Sequence, residues 1–167
     1  MLVDSYIVPQ CETRPGSFGG LMALYESNFI KLTHLAGEPV QLERIYWSRP
    51  PDDCDLRLTI DGRTKYTRLL HLTYVFQEST GVRVEPDMSL RVYLDARMVE
   101  VTGWAECQRH VILRNLARHF DRELDRRWTC NMVLSKWFDY LLDRGHSLKP
   151  VADADRSRFA GSPTEHA

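Results

Sequence analysis

Arginine, tyrosine and carboxylate side chains alternate along the central part of this chain. Arg91, Tyr93 and Asp95 occupy every second position, so a β-strand would point all three to one face of a sheet. Arg57 occupies the same kind of position on an earlier predicted strand. The planar arginine fork suits phosphate and carboxylate groups. If their strands are neighbours, the four residues are candidates for binding a nucleotide-like anion.

The same alternation also fits a solvated outer face of an antiparallel sheet. Such faces are common, and they carry cross-strand ion pairs, for example Arg91 with Glu100, worth roughly 0.2–1 kcal/mol each. The residue pattern alone leaves both interpretations open.

Asn131 is a polar residue on an otherwise apolar helical stripe. It follows Trp128 by three positions and precedes Leu134 by three. A buried amide must find hydrogen-bond partners or it costs free energy. We expect a structural role, a bond to a backbone group at a strand end that fixes the helix. A place in the lining of a small polar pocket is the alternative.

Signatures of metal binding and nucleophilic catalysis are weak. Cys107 and His110 have the spacing of a ligand pair, and His119 follows nearby, but a zinc site needs a second close pair. The chain has no G-x-S-x-G motif, no phosphate-binding loop and no dinucleotide fingerprint. Arg126 and Arg127 fit exposed helix charge better than an anion clamp. We therefore expect no catalytic residue, no metal and no cofactor.

Two stretches of helical periodicity enclose a run of strands. The first stretch begins after Ser17, a good N-cap, and stops at Gly37; the second begins at Asp121 and stops at Gly145. Period-two alternation predicts strands at 55–61, 64–76, 88–94 and 98–104, with a short strand at 42–47.

Asp61-Gly62 is a hairpin signal, 78–87 fits a loop, a turn is expected at 95–97, and 105–120 has no clear period. The local connections predict an α+β fold, an antiparallel sheet of four to five strands flanked by an N-terminal and a C-terminal amphipathic helix.

Composition indicates how the chain is organised and where it works. Its 167 residues are expected to form a loosely ordered arm (1–16), a single domain (17–149) and a disordered tail (150–167). The net charge of -1 argues against a dedicated nucleic-acid binder. Four widely spaced cysteines, and the lack of an export signal or a membrane-length apolar run, predict a cytoplasmic protein with no membrane partner.

Five segments carry a resemblance to a known family. They are LYESNF (24–29), LRLTI (56–60), TKYT (64–67), LRVYLDA (90–96) and RWTCN (127–131). Their order and spacing resemble the YqiB-like family of uncharacterised bacterial proteins. The resemblance implies a small cytoplasmic bacterial protein of one domain, and it brings no activity, cofactor or catalytic residue with it.

Two functions follow from these patterns. The first is a non-catalytic interaction or adaptor domain that docks a protein partner or a second copy of itself. The alternative is binding or turnover of a small nucleotide-like anion on the sheet face that carries Arg57, Arg91, Tyr93 and Asp95. RNA binding through the sheet ranks third, since the aromatic–basic run typical of such sheets is absent.

Overall fold

The computed structural model of the chain describes residues 16–78, 81–104 and 123–150. The helices are α1 (Phe18–Ala36) and α2 (Glu123–Asp143), and a short 3₁₀ turn spans Pro39–Gln41. The strands are β1 (Ile45–Ser48), β2 (Asp55–Arg63), β3 (Thr67–Glu78), β4 (Gly81–Tyr93), β5 (Met98–Trp104) and β6 (Lys149–Pro150).

The ends of α1 lie where capping chemistry predicts them. The Ser17 hydroxyl accepts a hydrogen bond from Gly20 N at 3.1 Å, which satisfies one of the free amides of the first turn. Gly37 has a φ of 81° and donates its N–H to Thr33 O. A glycine adopts this positive φ without strain, so the helix stops there.

The predicted α+β fold is confirmed, with one more strand than expected. The described residues form a six-stranded antiparallel sheet in the order β5-β4-β3-β2-β1-β6. The additional strand is β6, where Lys149 and Pro150 pair with Trp47 and Tyr46. Two residues are too few to show a period-two pattern, so sequence periodicity does not reveal such a strand.

The prediction of a hairpin turn at Asp61-Gly62 is wrong. Both residues belong to β2, and Gly62 pairs with Leu69 beyond a β-bulge at Ile60/Gly62. The turn follows at 64–66, closed by hydrogen bonds between Thr64 and Thr67. Glycine next to aspartate therefore marks a bulge here, another position that favours glycine.

The loop predicted at 78–87 is also wrong, because β4 begins at Gly81 and runs through Pro86. The register passes from Thr73↔Asp87 to Val75↔Val84, so two residues of β4 lie opposite one of β3. Proline lacks a donor for the ladder, and a bulge is one of the few strand positions that tolerate it.

The core lies between one face of the sheet and the two described helices. Its residues include Phe29, Leu32, Leu35, Leu58, Leu70, Leu72, Met88, Leu90, Val92, Val99, Leu134, Phe138 and Leu141. A buried cation fixes the helix pair: Lys31 Nζ lies 2.6 Å from Asp139 Oδ1 and donates to Ser135 Oγ at 2.8 Å. Pairing of this kind is what makes a buried charge tolerable.

Helix α2 covers the outer edge of β5. Asn131 is fully buried, and its Oδ1 accepts a hydrogen bond from Val101 N at 3.0 Å. Its Nδ2 donates to Arg127 O at 2.8 Å. An edge strand presents unpaired N–H groups, and Asn131 satisfies one of them. This contact also brings Arg126 and Arg127 beside β5.

Several predictions lie outside the described residues: the arm except for Gly16, the tail beyond Pro150, the unassigned stretch 105–120, and Cys107, His110 and His119. Neither helix in the described ranges is long and apolar enough to cross a membrane.

Candidate functional site

Glu100, on β5, is a buried carboxylate held by side chains from three other elements. Tyr93 of β4 donates to Oε1 at 2.7 Å, and Tyr25 of α1 donates to Oε2 at 3.3 Å. Arg127 of α2 donates from Nη1 to Oε2 at 3.0 Å. The side chain is only 6 % exposed, so these bonds replace the water that a carboxylate needs.

Arginine side chains form the rim above this carboxylate. Arg91 Nη1 lies 3.7 Å from Glu100 Oε1. With Arg126 and Arg127 it borders a cleft of ≈ 240 Å³, which we call the arginine cleft. The lining residues are Arg91, Glu100, Val101, Thr102, Arg126, Arg127 and Cys130.

Glu123, in the first turn of α2, orients two of these arginines. It accepts from Arg126 Nε and Nη2 at 3.2 and 2.8 Å, and from Arg127 Nε at 2.9 Å. Hydrogen bonds from Arg126 and Arg127 lower the pKa of Glu123 to about 2. Among the described residues, three guanidinium groups thus face two carboxylates, a formal excess of one positive charge.

The tyrosines act as neutral donors in this arrangement. Burial raises the pKa of Tyr25 and of Tyr93, and the hydrogen bond to Glu100 raises that of Tyr93 further. A hydrogen bond with Tyr93 raises the pKa of Arg91. The phenol of Tyr93 therefore links the Arg91 guanidinium to the Glu100 carboxylate.

A second cavity adjoins the arginine cleft on the outer face of the sheet. We call it the turn depression; it measures ≈ 380 Å³. Its lining residues are Gly62, Arg63, Thr64, Thr67, Leu69 and Arg91. Arg91 lines both cavities.

The structure brings two of the four predicted ligand-binding residues to this site. Arg91 and Tyr93 lie beside Glu100. Arg57 does not join them, because β3 separates β2 from β4 and Arg91 lies in the row of Gly62, five residues along β2. Arg57 lies instead over the Trp47 ring, 5.8 Å from its centroid.

Asp95, the fourth predicted residue, lies in the turn after β4. Its Oδ1 accepts a hydrogen bond from Ala96 N at 2.9 Å, a local contact typical of aspartate in turns.

Other members of the cluster were not predicted as ligands. Tyr25 lies in the first predicted helix among apolar residues, and Arg126 and Arg127 fitted exposed helix charge. The contacts of Glu100 with Tyr25 and Arg127 join residues 75 and 27 positions apart, which no local pattern shows. The predicted cross-strand pair of Arg91 with Glu100 is confirmed, since the two residues lie opposite each other on β4 and β5 and their charged groups are 3.7 Å apart.

A second buried polar group, the His146 cluster, consists of Ser48, Asp53, Tyr74 and His146. Ser48 Oγ lies 3.0 Å from His146 Nδ1, and Asp53 Oδ2 lies 3.1 Å from Nε2. Tyr74 OH donates to Asp53 Oδ2 at 3.2 Å. The residue types are those of a nucleophilic Ser-His-Asp triad.

The surroundings of this cluster favour a structural role over a catalytic one. Ser48 Oγ already accepts from Ser147 N at 2.9 Å, and Ser48 and His146 are 5 % and 4 % exposed. Both ring nitrogens of His146 have a partner within the cluster, Nδ1 with Ser48 and Nε2 with Asp53. The cluster ties the residues after α2 to β1 and lines neither of the two cavities described above.

Metal ligation has no basis in the described ranges. Within residues 16–78, 81–104 and 123–150, no group of three or more histidine, cysteine or acidic side chains could hold a metal ion.

Comparison with known proteins relates the chain to one family. The family DUF1249, described as a protein of unknown function, matches residues 31–147. No curated protein and no solved structure matches the chain. The match includes the whole His146 cluster and every residue bound to Glu100 except Tyr25. Because it spans more than half of the sequence, the chain belongs to the DUF1249 family of proteins of unknown function.

Proposed function

We propose that this protein is a non-catalytic binding domain that holds a small anion, bearing phosphate or carboxylate, in the arginine cleft. The observation that carries the proposal is the convergence of Arg91, Arg126 and Arg127 on one cleft with a formal excess of positive charge. Guanidinium groups match phosphate and carboxylate oxygens bidentately.

The carboxylates support this function by holding the guanidinium groups in place. Glu123 binds Arg126 and Arg127, and Glu100 binds Arg127 and lies near Arg91. The side chains of Arg91, Arg126 and Arg127 are 44 %, 54 % and 45 % exposed, so each can reach a ligand from water. A guanidinium has five N–H donors and can bind a carboxylate and a ligand together. Preorganisation of this kind lowers the entropy cost of binding.

The non-catalytic part of the proposal rests on Glu100. Both of its oxygens accept hydrogen bonds, which disfavours a role as general base. The proposal further places the protein in the bacterial cytoplasm and keeps the YqiB-like name as a prediction. The free thiol of Cys54 supports a reducing compartment.

The interaction-domain hypothesis has a less specific basis. The exposed large apolar side chains in the described ranges lie on seven different elements or turns: Phe18, Val40, Ile45, Tyr66, Leu69, Val82 and Tyr140. A docking surface usually presents a contiguous patch. A protein partner or a homo-oligomer therefore stays a prediction, and multi-angle light scattering of the purified protein tests the homo-oligomer.

Titration with sodium pyrophosphate tests the proposed function. Calorimetry should show binding to the wild type, weakened about tenfold or more by Arg126→Gln, because a hydrogen bond between charged groups contributes roughly 1.5–3 kcal/mol. Arg57→Gln is the matched control, since it removes an arginine from the outer sheet face remote from the cleft. Absence of binding by the wild type, or an equal loss in both variants, would refute the proposal.

A further inference from the structure

The turn depression continues the arginine cleft across the sheet. The strand register places Gly62, Leu69, Arg91 and Glu100 in one transverse row over β2, β3, β4 and β5. Residues paired in this way share a face of the sheet, and neighbouring strands lie about 4.8 Å apart. Arg91 therefore stands between two adjoining cavities, and its side chain lines both.

The two cavities differ in chemistry. The cleft beyond Arg91 is bordered by Arg126, Arg127 and Glu100. The depression is lined by Leu69, a large apolar residue that is 40 % exposed, and by Arg63, whose guanidinium lies 3.9 Å from the Glu43 carboxylate. A ligand with a charged group at one end and an apolar group at the other would match the cleft with its charged end and the depression with its apolar end.

The absence of a side chain at Gly62 lets Leu69 lie close against the backbone of β2 at the edge of the depression. A Cβ at Gly62 would lie 3.1 Å from Leu69 Cδ1, closer than ordinary van der Waals contact. A larger side chain at this position would therefore displace Leu69 and occupy the space above it. The arginine cleft, at ≈ 240 Å³, is smaller than the range of about 300–1,000 Å³ typical of ligand pockets, whereas the turn depression, at ≈ 380 Å³, and the two cavities together lie within it.

We infer that the ligand of the arginine cleft is an amphiphilic anion whose apolar or aromatic body lies in the turn depression. Its phosphate or carboxylate is bound by Arg126 and Arg127, Arg91 contacts the junction, and the body covers Leu69 and Gly62. Two strand spacings separate Arg91 from Gly62, so the ligand extends on the order of 10 Å. This inference rests on the proposed function and adds the class of ligand to it.

The test compares 1-naphthyl phosphate with inorganic phosphate, which share a phosphate group but differ in the apolar body. Calorimetry on the wild type should show naphthyl phosphate binding at least tenfold more tightly. Gly62→Val should remove this advantage and leave the affinity for inorganic phosphate unchanged. Gly103→Val is the matched control, because Gly103 pairs with Ser89 on the same face and a Cβ there meets Ser89 at an ordinary 3.7 Å.

A second variant keeps the inference testable if Gly62→Val fails to fold because residue 62 lies at a bulge. Leu69→Ala removes an apolar side chain that lines the depression at an exposed position, and it should reduce the naphthyl advantage at least threefold. Equal affinity of the wild type for both phosphates, with binding still weakened by Arg126→Gln, would overturn the inference and leave the proposed function standing. Naphthyl phosphate binding that is insensitive to Arg126→Gln would overturn both.

Discussion

The arginine cleft and the His146 cluster are each built around one carboxylate, and they differ in charge and access. Asp53 accepts hydrogen bonds from Cys54 N, Tyr74 and His146, and one guanidinium, that of Arg144, lies 3.9 Å from its Oδ2 and balances its charge. Glu100 accepts hydrogen bonds from two phenols and from Arg127, and the neighbouring guanidinium groups are open to water.

Catalytic-looking residue types are therefore the poorer guide to function in this chain. The Ser48–His146–Asp53 group has the composition of a triad, yet its bonds are satisfied internally and its hydroxyl is buried. The arginine cleft has no such signature, but it retains charge that its own carboxylates leave unbalanced. Excess charge at an accessible surface is the property that a ligand can use.

Replacing Glu100 should have the largest effect, because it should lower the unfolding free energy and raise the affinity for pyrophosphate. Glu100→Gln places an amide NH₂ against donors from Tyr25, Tyr93 or Arg127, so we expect unfolding free energy to fall by about 3 kcal/mol. For a chain of this size the melting temperature should drop by roughly 6–12 °C. Pyrophosphate should nevertheless bind more tightly, since the cleft loses a negative charge while Glu123 still holds Arg126 and Arg127 in place. Thermal unfolding and calorimetry measure the two effects.

Glu43→Gln is the matched control for that substitution. Glu43 is an exposed carboxylate 3.9 Å from the Arg63 guanidinium, and surface pairs of this kind contribute about 0–1 kcal/mol. If Glu100→Gln were as stable as this control, the carboxylate would not be the centre of the cluster that its contacts indicate.

Replacing His146 should lower stability without changing the affinity for pyrophosphate. His146→Ala leaves Ser48 and Asp53 without their shared partner, so we expect a loss of about 2 kcal/mol in unfolding free energy by urea titration. Pyrophosphate affinity should stay unchanged, because the cluster lies apart from the cleft. His34→Ala, at an exposed position of α1, should change stability by less than about 0.5 kcal/mol. A fall in pyrophosphate affinity in His146→Ala alone would show that the two regions are coupled.

The sequence predicts the fold well where one local rule dominates. The caps at Ser17 and Gly37, the turn at 95–97 and the strand at 98–104 all follow from residue type and period. It fails where tertiary pairing decides. The bulge at Gly62 and the passage of β4 through Pro86 depend on which strand lies opposite, and β6 is too short to carry a pattern.

The candidate site is predictable only in part, for a related reason. Alternation correctly places Arg91 and Tyr93 on one face of β4, but it cannot tell which strand lies beside β4. Arg57 and Arg91 were expected to share a site if their strands were neighbours, and the observed order places β3 between those strands. Arg127 and Tyr25 reach Glu100 from two helices, so their roles depend on how those helices pack at the β5 edge.

Acid titration should reveal a smaller contribution from the Asp53 carboxylate. Burial raises the pKa of Asp53, but hydrogen bonds from Cys54 N, His146 and Tyr74 outweigh it, so the folded-state pKa lies below the ordinary value of 3.8. A lowered carboxylate pKa adds stability that is fully present above the unfolded pKa and is lost as pH falls through the folded one. Urea unfolding between pH 6 and pH 2 should therefore show that the unfolding free energy declines below about pH 4, with at most about 1.4 kcal/mol per pH unit from this one group.

The decline in unfolding free energy should be shallower in Asp53→Asn than in the wild type, whereas Asp52→Asn, which changes the exposed neighbour, should leave the slope unaltered. Equal slopes in all three proteins would mean that Asp53 gains nothing from its partners on folding, and the His146 cluster would then owe its stability to packing alone.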